Sequence, residues 1–295
     1  MKSMIRLISF IAIILIFYWF SNNGLKISTF TLKSNKIPSE FNDMKILQLT
    51  DLHSKSFGTN NKRLISKINK INPDIIVVTG DMLNASNDDG TVFLELCQNL
   101  TQKYTIYYTY GNHEEILEMR LNRLNDNWLN EYIKKLENLG VIILNNSKIE
   151  LIKKEQHINL YGLVLPMSYY NKEYRNNPNV AVQLTPEDLQ NSYFQLKKDK
   201  FNIVLAHTPF YFEEYSTWGA DLVLAGHVHG GIVNIPFVGG LLSPDVEFFP
   251  KYYGGKYEID DSTMIVGRGL GNSSINLRIF NRPELVVIKL KNDSK

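Results

Sequence analysis

The chain has 295 residues, 44% hydrophobic and 21% charged, which suits a folded protein with a sizeable core and one or two domains. Its 32 basic and 30 acidic residues leave a net charge of +2 with no dense Lys/Arg cluster, so an electrostatic nucleic-acid binder is not expected. One cysteine, Cys97, excludes an internal disulfide, and its place in "VFLELCQNL", an apolar helix face, reads as a buried structural thiol.

The N-terminus is a different material from the rest. Residues 4–20, "MIRLISFIAIILIFYWF", are nearly all apolar, with Lys2 and Arg6 at the front. The run is long enough for a thin membrane span if Arg6 snorkels, and Tyr18 and Trp19 sit where an interfacial aromatic belt belongs. A cleaved signal peptide needs small residues before its cut site, and "YWFSNNG" has no A-x-A-like pattern. The expectation is an uncleaved anchor over 1–23 and a body over 24–295. Lys2 and Arg6 before the span favour a body outside the cytoplasm, although Lys26, Lys33 and Lys36 blunt the asymmetry.

The body alternates strands and helices. "KISTFTL" reads as an edge strand and "MKILQLT" as a buried one. Leu64, Ile65, Ile68 and Ile71 recur at helical spacing, and Pro73 ends that helix. "DIIVVTG", the helix around Cys97 and "YTIYYTYG" complete a β-α-β-α-β series, which predicts a sheet with helices on its faces. Residues 114–139 read mostly as helix. Then come "GVIILNN", "HINLYGL", a helix near 186–198, "FNIVLAH", "ADLVLAG", "TMIVGRG" and "ELVVIKL". Residues 166–185 and 235–256 read as loops. His157, within "HINLYGL", reads as a histidine without a function.

Five apolar strands end in the same kind of chemistry. "ILQLTDLH" ends at Asp51 and His53, "IIVVTGD" at Asp81, "YYTYGNHE" at Asn112 and His113, "IVLAH" at His207, and "LVLAGHVH" at His227 and His229. Ligands of open α/β sheets bind outside the carboxyl ends of strands, so these groups are expected at one edge. His227 and His229 are one residue apart; in an extended segment they would point the same way, at a common target. Four imidazoles (His53, His207, His227, His229), two carboxylates (Asp51, Asp81) and the Asn112 amide oxygen exceed the needs of one tetrahedral ion. They suit two ions about 3.5–4 Å apart. Nitrogen and oxygen donors without thiolate favour Mn, Fe or Zn.

The series "DLH", "GD", "GNHE", "H" and "GHVH" resembles the calcineurin-like metallophosphoesterases over roughly residues 44–290. "HGG" followed by Pro236, "FFPKYYGGKY" and "RGLGNSS" with the later "RPEL" are similar to its bacterial membrane-anchored phosphodiesterase branch. The resemblance implies an α/β fold, a four-layer α/β/β/α sandwich behind the N-terminal transmembrane helix. By motif it implies Asp51, His53 and His229 on one metal, Asn112, His207 and His227 on the second, and Asp81 bridging. A hydroxide between the metals would attack phosphorus, with His113 as acid or transition-state stabiliser. Two positions depart from the family pattern. Asn84 stands where many relatives carry an Asp that orients the "GNH" histidine, and Ile232 where many carry Gln. Asn84 can accept a hydrogen bond but cannot stabilise an imidazolium by charge.

Other signals carry less. "GRGLGN" leads into a strand-like stretch and reads as a turn rather than a dinucleotide motif, with Arg268 facing phosphate or, the favoured reading, in a surface salt bridge. Ser54 lacks a nucleophile elbow. The aromatic loop 247–257 reads as a packed surface loop, a substrate wall or a membrane-facing lip. The expected function is hydrolysis of a phosphodiester or pyrophosphate, on a lipid or cell-envelope substrate suggested by the anchor. A phosphomonoesterase, a protein phosphatase or a silent metal-binding scaffold are the alternatives. Substrate-binding residues and oligomeric state are not legible.

Overall fold

The computed structural model describes residues 2–86, 88–171, 183–231, 233–235, 239–242, 247–272 and 277–294. A single helix, α1 (Lys2–Asn23), projects from the body: residues 4–20 are exposed and only Ser21 and Asn22 at its end are buried. It is long and apolar enough to cross a membrane. The body then runs through β1 (Lys26–Ser34), β2 (Lys45–Leu49), α2 (Lys62–Ile71), β3 (Ile75–Thr79), α3 (Thr91–Leu100), β4 (Thr105–Thr109), α4 (Asn112–Arg123), α5 (Trp128–Asn138) and β5 (Val141–Ile143). The second half holds β6 (Ser147–Lys153), β7 (Gln156–Leu163), α6 (Pro186–Ser192), β8 (Asn202–Ala206), α7 (Phe212–Trp218) and β9 (Leu222–Ala225). It closes with β10 (Val233–Ile235), β11 (Gly239–Leu242), β12 (Gly255–Ile259), β13 (Ser262–Val266) and β14 (Glu284–Asn292).

Two six-stranded sheets form, ordered β1-β14-β2-β3-β4-β5 and β12-β13-β9-β8-β7-β6. Strand parity explains why they stack. Ile46 and Val77 of the first sheet pack with Ile203, Leu205, Leu222 and Leu224 of the second in one buried cluster. Their neighbours Leu47, Ile76 and Val78 point the other way, onto Leu64 and Ile68 of α2 and Phe93 and Leu96 of α3. On the far side, Val204, Ala206, Val223 and Ala225 pack on Phe212, Tyr215 and Trp218 of α7 and Leu189 of α6. Three cores thus separate four layers, helix, sheet, sheet, helix. Both faces of the central strands are covered, so they read as continuous apolar runs instead of alternating ones. Gln48 is a polar exception between the sheets. Its amide donates to Thr79 Oγ1 (2.9 Å) and to the Ala225 carbonyl (2.8 Å), joining the two sheets just beneath their carboxyl ends.

The first strand pairs in parallel with the last, Lys26 opposite Glu284 through Ser34 opposite Asn292, and lies at a sheet edge as its alternating pattern predicts. Four strands escaped the sequence. β6 and β12 are edge strands whose half-polar patterns carry little hydrophobic signal. β11 lies within the stretch 235–256 expected to be loop, paired antiparallel with the three-residue β10 at its start. The helix near 186–198 stops at Ser192. Of the 166–185 loop, residues 172–182 lie outside the described residues, as does Ile232.

Candidate metal centre

All eight predicted residues stand at or just beyond the carboxyl ends of β2, β3, β4, β8 and β9, three strands from one sheet and two from the other. They converge. His53 Nε2 lies 3.1 Å from His229 Nε2 and 3.7 Å from Asp81 Oδ2. His229 Nε2 is 3.4 Å from Asp51 Oδ1. His207 Nε2 is 3.2 Å from Asp81 Oδ2 and 3.9 Å from Asp51 Oδ1. His227 Nδ1 lies 2.8 Å from Asn112 Oδ1, and His113 Nε2 4.0 Å from Asp81 Oδ2. Two nitrogens bound to one tetrahedral ion at about 2.0–2.1 Å stand about 3.4 Å apart, so these spacings match donors sharing an ion. Three sets of donors are each close enough to hold a metal: Asp51, His53 and His229; Asp81, His207 and His227; and His53, Asp81 and His113.

The backbone that delivers them is unusual. Asp51, His53, Asp81, His227 and His229 all have positive φ, between 45° and 70°. Non-glycine residues rarely enter this left-handed region, and such backbone clusters at functional sites. It also corrects the expectation for the two histidines of "GHVH". They are not in an extended segment. Val228 N–H donates back to the Gly226 carbonyl (2.8 Å) and Gly231 N–H to that of Val228 (2.9 Å), so the chain coils tightly. His229 turns to His53 and Asp51, and His227 to Asn112 and His207.

The electrostatics of the site suit a cation. His207 Nδ1 is 2.6 Å from the Thr79 carbonyl, which can only accept, so the ring donates there. A neutral ring then aims a lone pair at Nε2 toward the Asp51 and Asp81 carboxylates. That arrangement needs positive charge, a proton or a metal ion. Without a metal the proton supplies it: burial opposes charge on His207, but Asp81 and Asp51 outweigh burial and push it up to about 10. Burial raises Asp81, yet His207 and His113 more than reverse this and hold it well below the usual carboxylate range. Burial dominates at Asp51, which is raised. Burial also lowers His53 to about 3 and holds His229 well down, so both keep a free lone pair at neutral pH. Metal binding requires deprotonated donors; His53 and His229 present them directly, and His207 would exchange its Nε2 proton for the ion.

Several positioning groups were invisible in the sequence. Glu114, fully buried, accepts from the backbone N–H groups of Asp81, Met82, Leu83 and Gly111 at 2.8–3.0 Å. It pins the Asp81 turn to the start of α4, which carries Asn112 and His113. His113 N–H in turn donates to Asp81 Oδ1 (2.8 Å), and Thr50 Oγ1 to Asp51 Oδ2 (2.7 Å). The place expected for Asn84 is taken by its neighbour. Ala85 N–H donates to His113 Nδ1 (3.0 Å), while the Asn84 amide donates to the His53 carbonyl (3.2 Å). A backbone amide cannot accept, so neutral His113 carries its proton on Nε2, the nitrogen facing Asp81. The turn 267–272 keeps Gly269 at φ 69°, and Arg268 pairs with Glu284 at 3.9 Å, a pair whose carboxylate is buried and not the surface salt bridge expected.

The sequence profile of the calcineurin-like phosphoesterases matches residues 44–231, and the chain belongs to that family. It is accordingly a hydrolase acting on phosphoric esters. Among its relatives, the uncharacterized metallophosphoesterase YkuE of Bacillus subtilis (strain 168) is 27% identical over 268 residues, 88% of this chain and 84% of its own. The phosphodiesterase YaeI of Escherichia coli (strain K12) is 26% identical over 251 residues, 83% of this chain and 82% of its own. Among solved structures, TT1561 of Thermus thermophilus covers 77% of this chain and 89% of its own at 10% identity, with a TM-score of 0.45.

Proposed function

We propose that the protein is a two-metal phosphodiesterase or pyrophosphatase held at a membrane, with its body outside the cytoplasm and its substrate in the lipid or envelope layer. The observation that carries this reading is Asp81 Oδ2. One carboxylate oxygen lies 3.2, 3.7 and 4.0 Å from the Nε2 atoms of His207, His53 and His113, which suits a group shared between two ions. Asp51, His53 and His229 would hold one ion, Asn112, His207 and His227 the other, and Asp81 both. Mn, Fe or Zn bound there would acidify a water and neutralise charge on the phosphoryl oxygens.

The chain's own groups do the rest. Glu114 holds the Asp81 turn, the His113 N–H holds the Asp81 carboxylate, and Thr50 holds that of Asp51. The Thr79 carbonyl keeps the His207 proton on Nδ1, so its Nε2 is a neutral donor. His113, protonated on Nε2, donates a hydrogen bond to a phosphoryl or leaving oxygen, and the positive end of α4 reinforces it. The YaeI name and the apolar helix α1 support the diester and membrane parts of the reading.

The test uses the full chain in detergent, stripped of metal and reloaded with Mn²⁺. Bis(p-nitrophenyl) phosphate should be hydrolysed in a metal-dependent way, faster than p-nitrophenyl phosphate. Asp81→Asn should lose at least about 100-fold, the scale of removing an electrostatic catalytic group. Faster monoester turnover would point to a phosphomonoesterase instead. Two bound metals without turnover of either would leave a binding scaffold.

A further inference from the structure

Three of the largest exposed apolar side chains outside α1 are phenylalanines at the two ends of one short ladder, Phe248 (67%) and Phe249 (62%) at one end and Phe280 (57%) at the other. The ladder runs across strands. Ile279 bridges Val233 of β10, Val233 pairs with Leu242 of β11, and Leu242 bridges Phe248. Phe249 and Phe280 have positive φ (51° each), a conformation bulky residues rarely adopt. None of the three belongs to a core cluster of the described residues.

Phe280, at one end of this ladder, lies against α1. Phe280 meets Phe17 of α1 edge to face, ring centroids 5.0 Å apart. Phe17 stands six residues before the helix end, about 9 Å along the axis at 1.5 Å per residue. The helix end itself is clamped to the body. Lys55 Nζ donates to the Asn22 carbonyl (2.6 Å), Arg63 to that of Asn23 (3.0 Å) and Arg282 to that of Gly24 (2.7 Å). Arg282 also lies 4.3 Å over the Phe20 ring and Arg63 5.4 Å over Trp19. Three cations and a pair of aromatic contacts therefore set the body's tilt against the helix. Cations at the headgroup level and aromatic rings just below it are the arrangement of an interfacial belt.

From this juxtaposition we infer that Phe248, Phe249 and Phe280 form a lip that enters the bilayer beside α1, so that the metal centre opens onto the lipid surface and takes phosphoesters whose apolar part stays in the bilayer. The lip and the centre are one mechanical unit. Asn281, next to Phe280, donates its amide to the carbonyls of His229 (2.6 Å) and Gly231, and Asn234 N–H donates to the Ile279 carbonyl (3.0 Å). The proposal rests on α1 being a membrane anchor and on the phosphoesterase reading above.

The experiment places the full-length chain in phosphatidylcholine/phosphatidylglycerol vesicles. Phe249→Cys and Phe280→Cys each carry an NBD label; Cys97 is buried with its thiol pushed up and stays unlabelled. Ile152→Cys, exposed near the turn of the β6–β7 hairpin, is the control. Doxyl lipids should quench the two lip labels at least twofold and leave the control unchanged. The triple variant Phe248→Ser/Phe249→Ser/Phe280→Ser should retain turnover of bis(p-nitrophenyl) phosphate but lose at least tenfold on vesicle-borne phosphatidyl-p-nitrophenol. Protein that floats with vesicles yet shows unquenched lip labels overturns the lip alone. Self-quenching between labelled chains would assign the patch to a second copy and also overturn it. Protein that fails to float sinks the anchor reading and the lip with it, whereas absent turnover of both substrates sinks the phosphoesterase reading.

Discussion

At the residue scale, the centre is a problem in charge. Two carboxylates and five imidazoles share one site, most of them buried. Glu114 is the positioning residue with most at stake. Hydrogen bonds to a charged acceptor contribute about 1.5–3 kcal/mol each. In Glu114→Gln one oxygen becomes an N–H₂ group facing backbone donors, so a stability loss of about 3 kcal/mol is expected in urea melts. Because the Asp81 turn hangs from that carboxylate, metal affinity should fall at least tenfold by calorimetric titration.

The metal-stripped protein should show a two-sided pH dependence. His53, held near 3, and the lowered His229 stay neutral in the fold but take protons in the unfolded chain below about 6.5. Their stabilising contribution is present above 6.5 and lost as pH falls. His207, raised to about 10, contributes below 6.5 and loses that contribution as pH climbs toward 10. In chelator, Tm measured at pH 5.5, 6.5 and 8.5 should be highest in the middle. With Mn²⁺ bound, the ion replaces the His207 proton, and the fall between 6.5 and 8.5 should vanish.

At the element scale, the site exists because strand ends and one helix start are brought very close. Gly111, between β4 and α4, has no room for a side chain: an added Cβ would overlap Asp81 Oδ1 and crowd the Asp81 backbone. Gly226, between β9 and His227, is equally confined by Thr50 and Asp51. Neither glycine of these two turns is there for flexibility; each leaves space for the chain packed against it. Gly111→Ala should displace Asp81 and lower bound metal per chain, read by elemental analysis, while circular dichroism reports the sheets intact. Unchanged metal content would show that the turn can yield without moving Asp81.

At the scale of the whole molecule, the centre sits across two sheets that Gln48 links just beneath it. A cation bound by both sheets adds to the fold as well as to the chemistry. Ligand binding stabilises by about 2.7 kcal/mol at one hundred times Kd. At roughly 2–4 °C per kcal/mol for a chain of this order of size, chelation of the loaded protein should lower Tm by about 5–10 °C. Mn²⁺ should restore it. An unchanged Tm on chelation would count against metal shared between the sheets.

Much of this was legible in the order of residues. Apolar runs of strand length, each followed by Asp, Asn or His, place donors at strand ends, because buried strands must be apolar and their ends are where polar groups reach solvent or ligand. The seventeen-residue apolar N-terminus announced α1 on composition alone. Pairings were not legible. Whether His229 meets His53 rather than His227 depends on positive-φ turns that local sequence does not report, since Asp and His, although enriched there, adopt positive φ in only a minority of their occurrences. Nor could the chain's order reveal that Glu114 holds the Asp81 turn 33 residues away, that Ala85 supplants Asn84 at His113, or that Phe280 reaches Phe17 across the whole sequence. Those contacts arise from packing two sheets face to face and clamping a helix to their rim. Residue chemistry was written in the chain; which residues act together was decided by tertiary closeness.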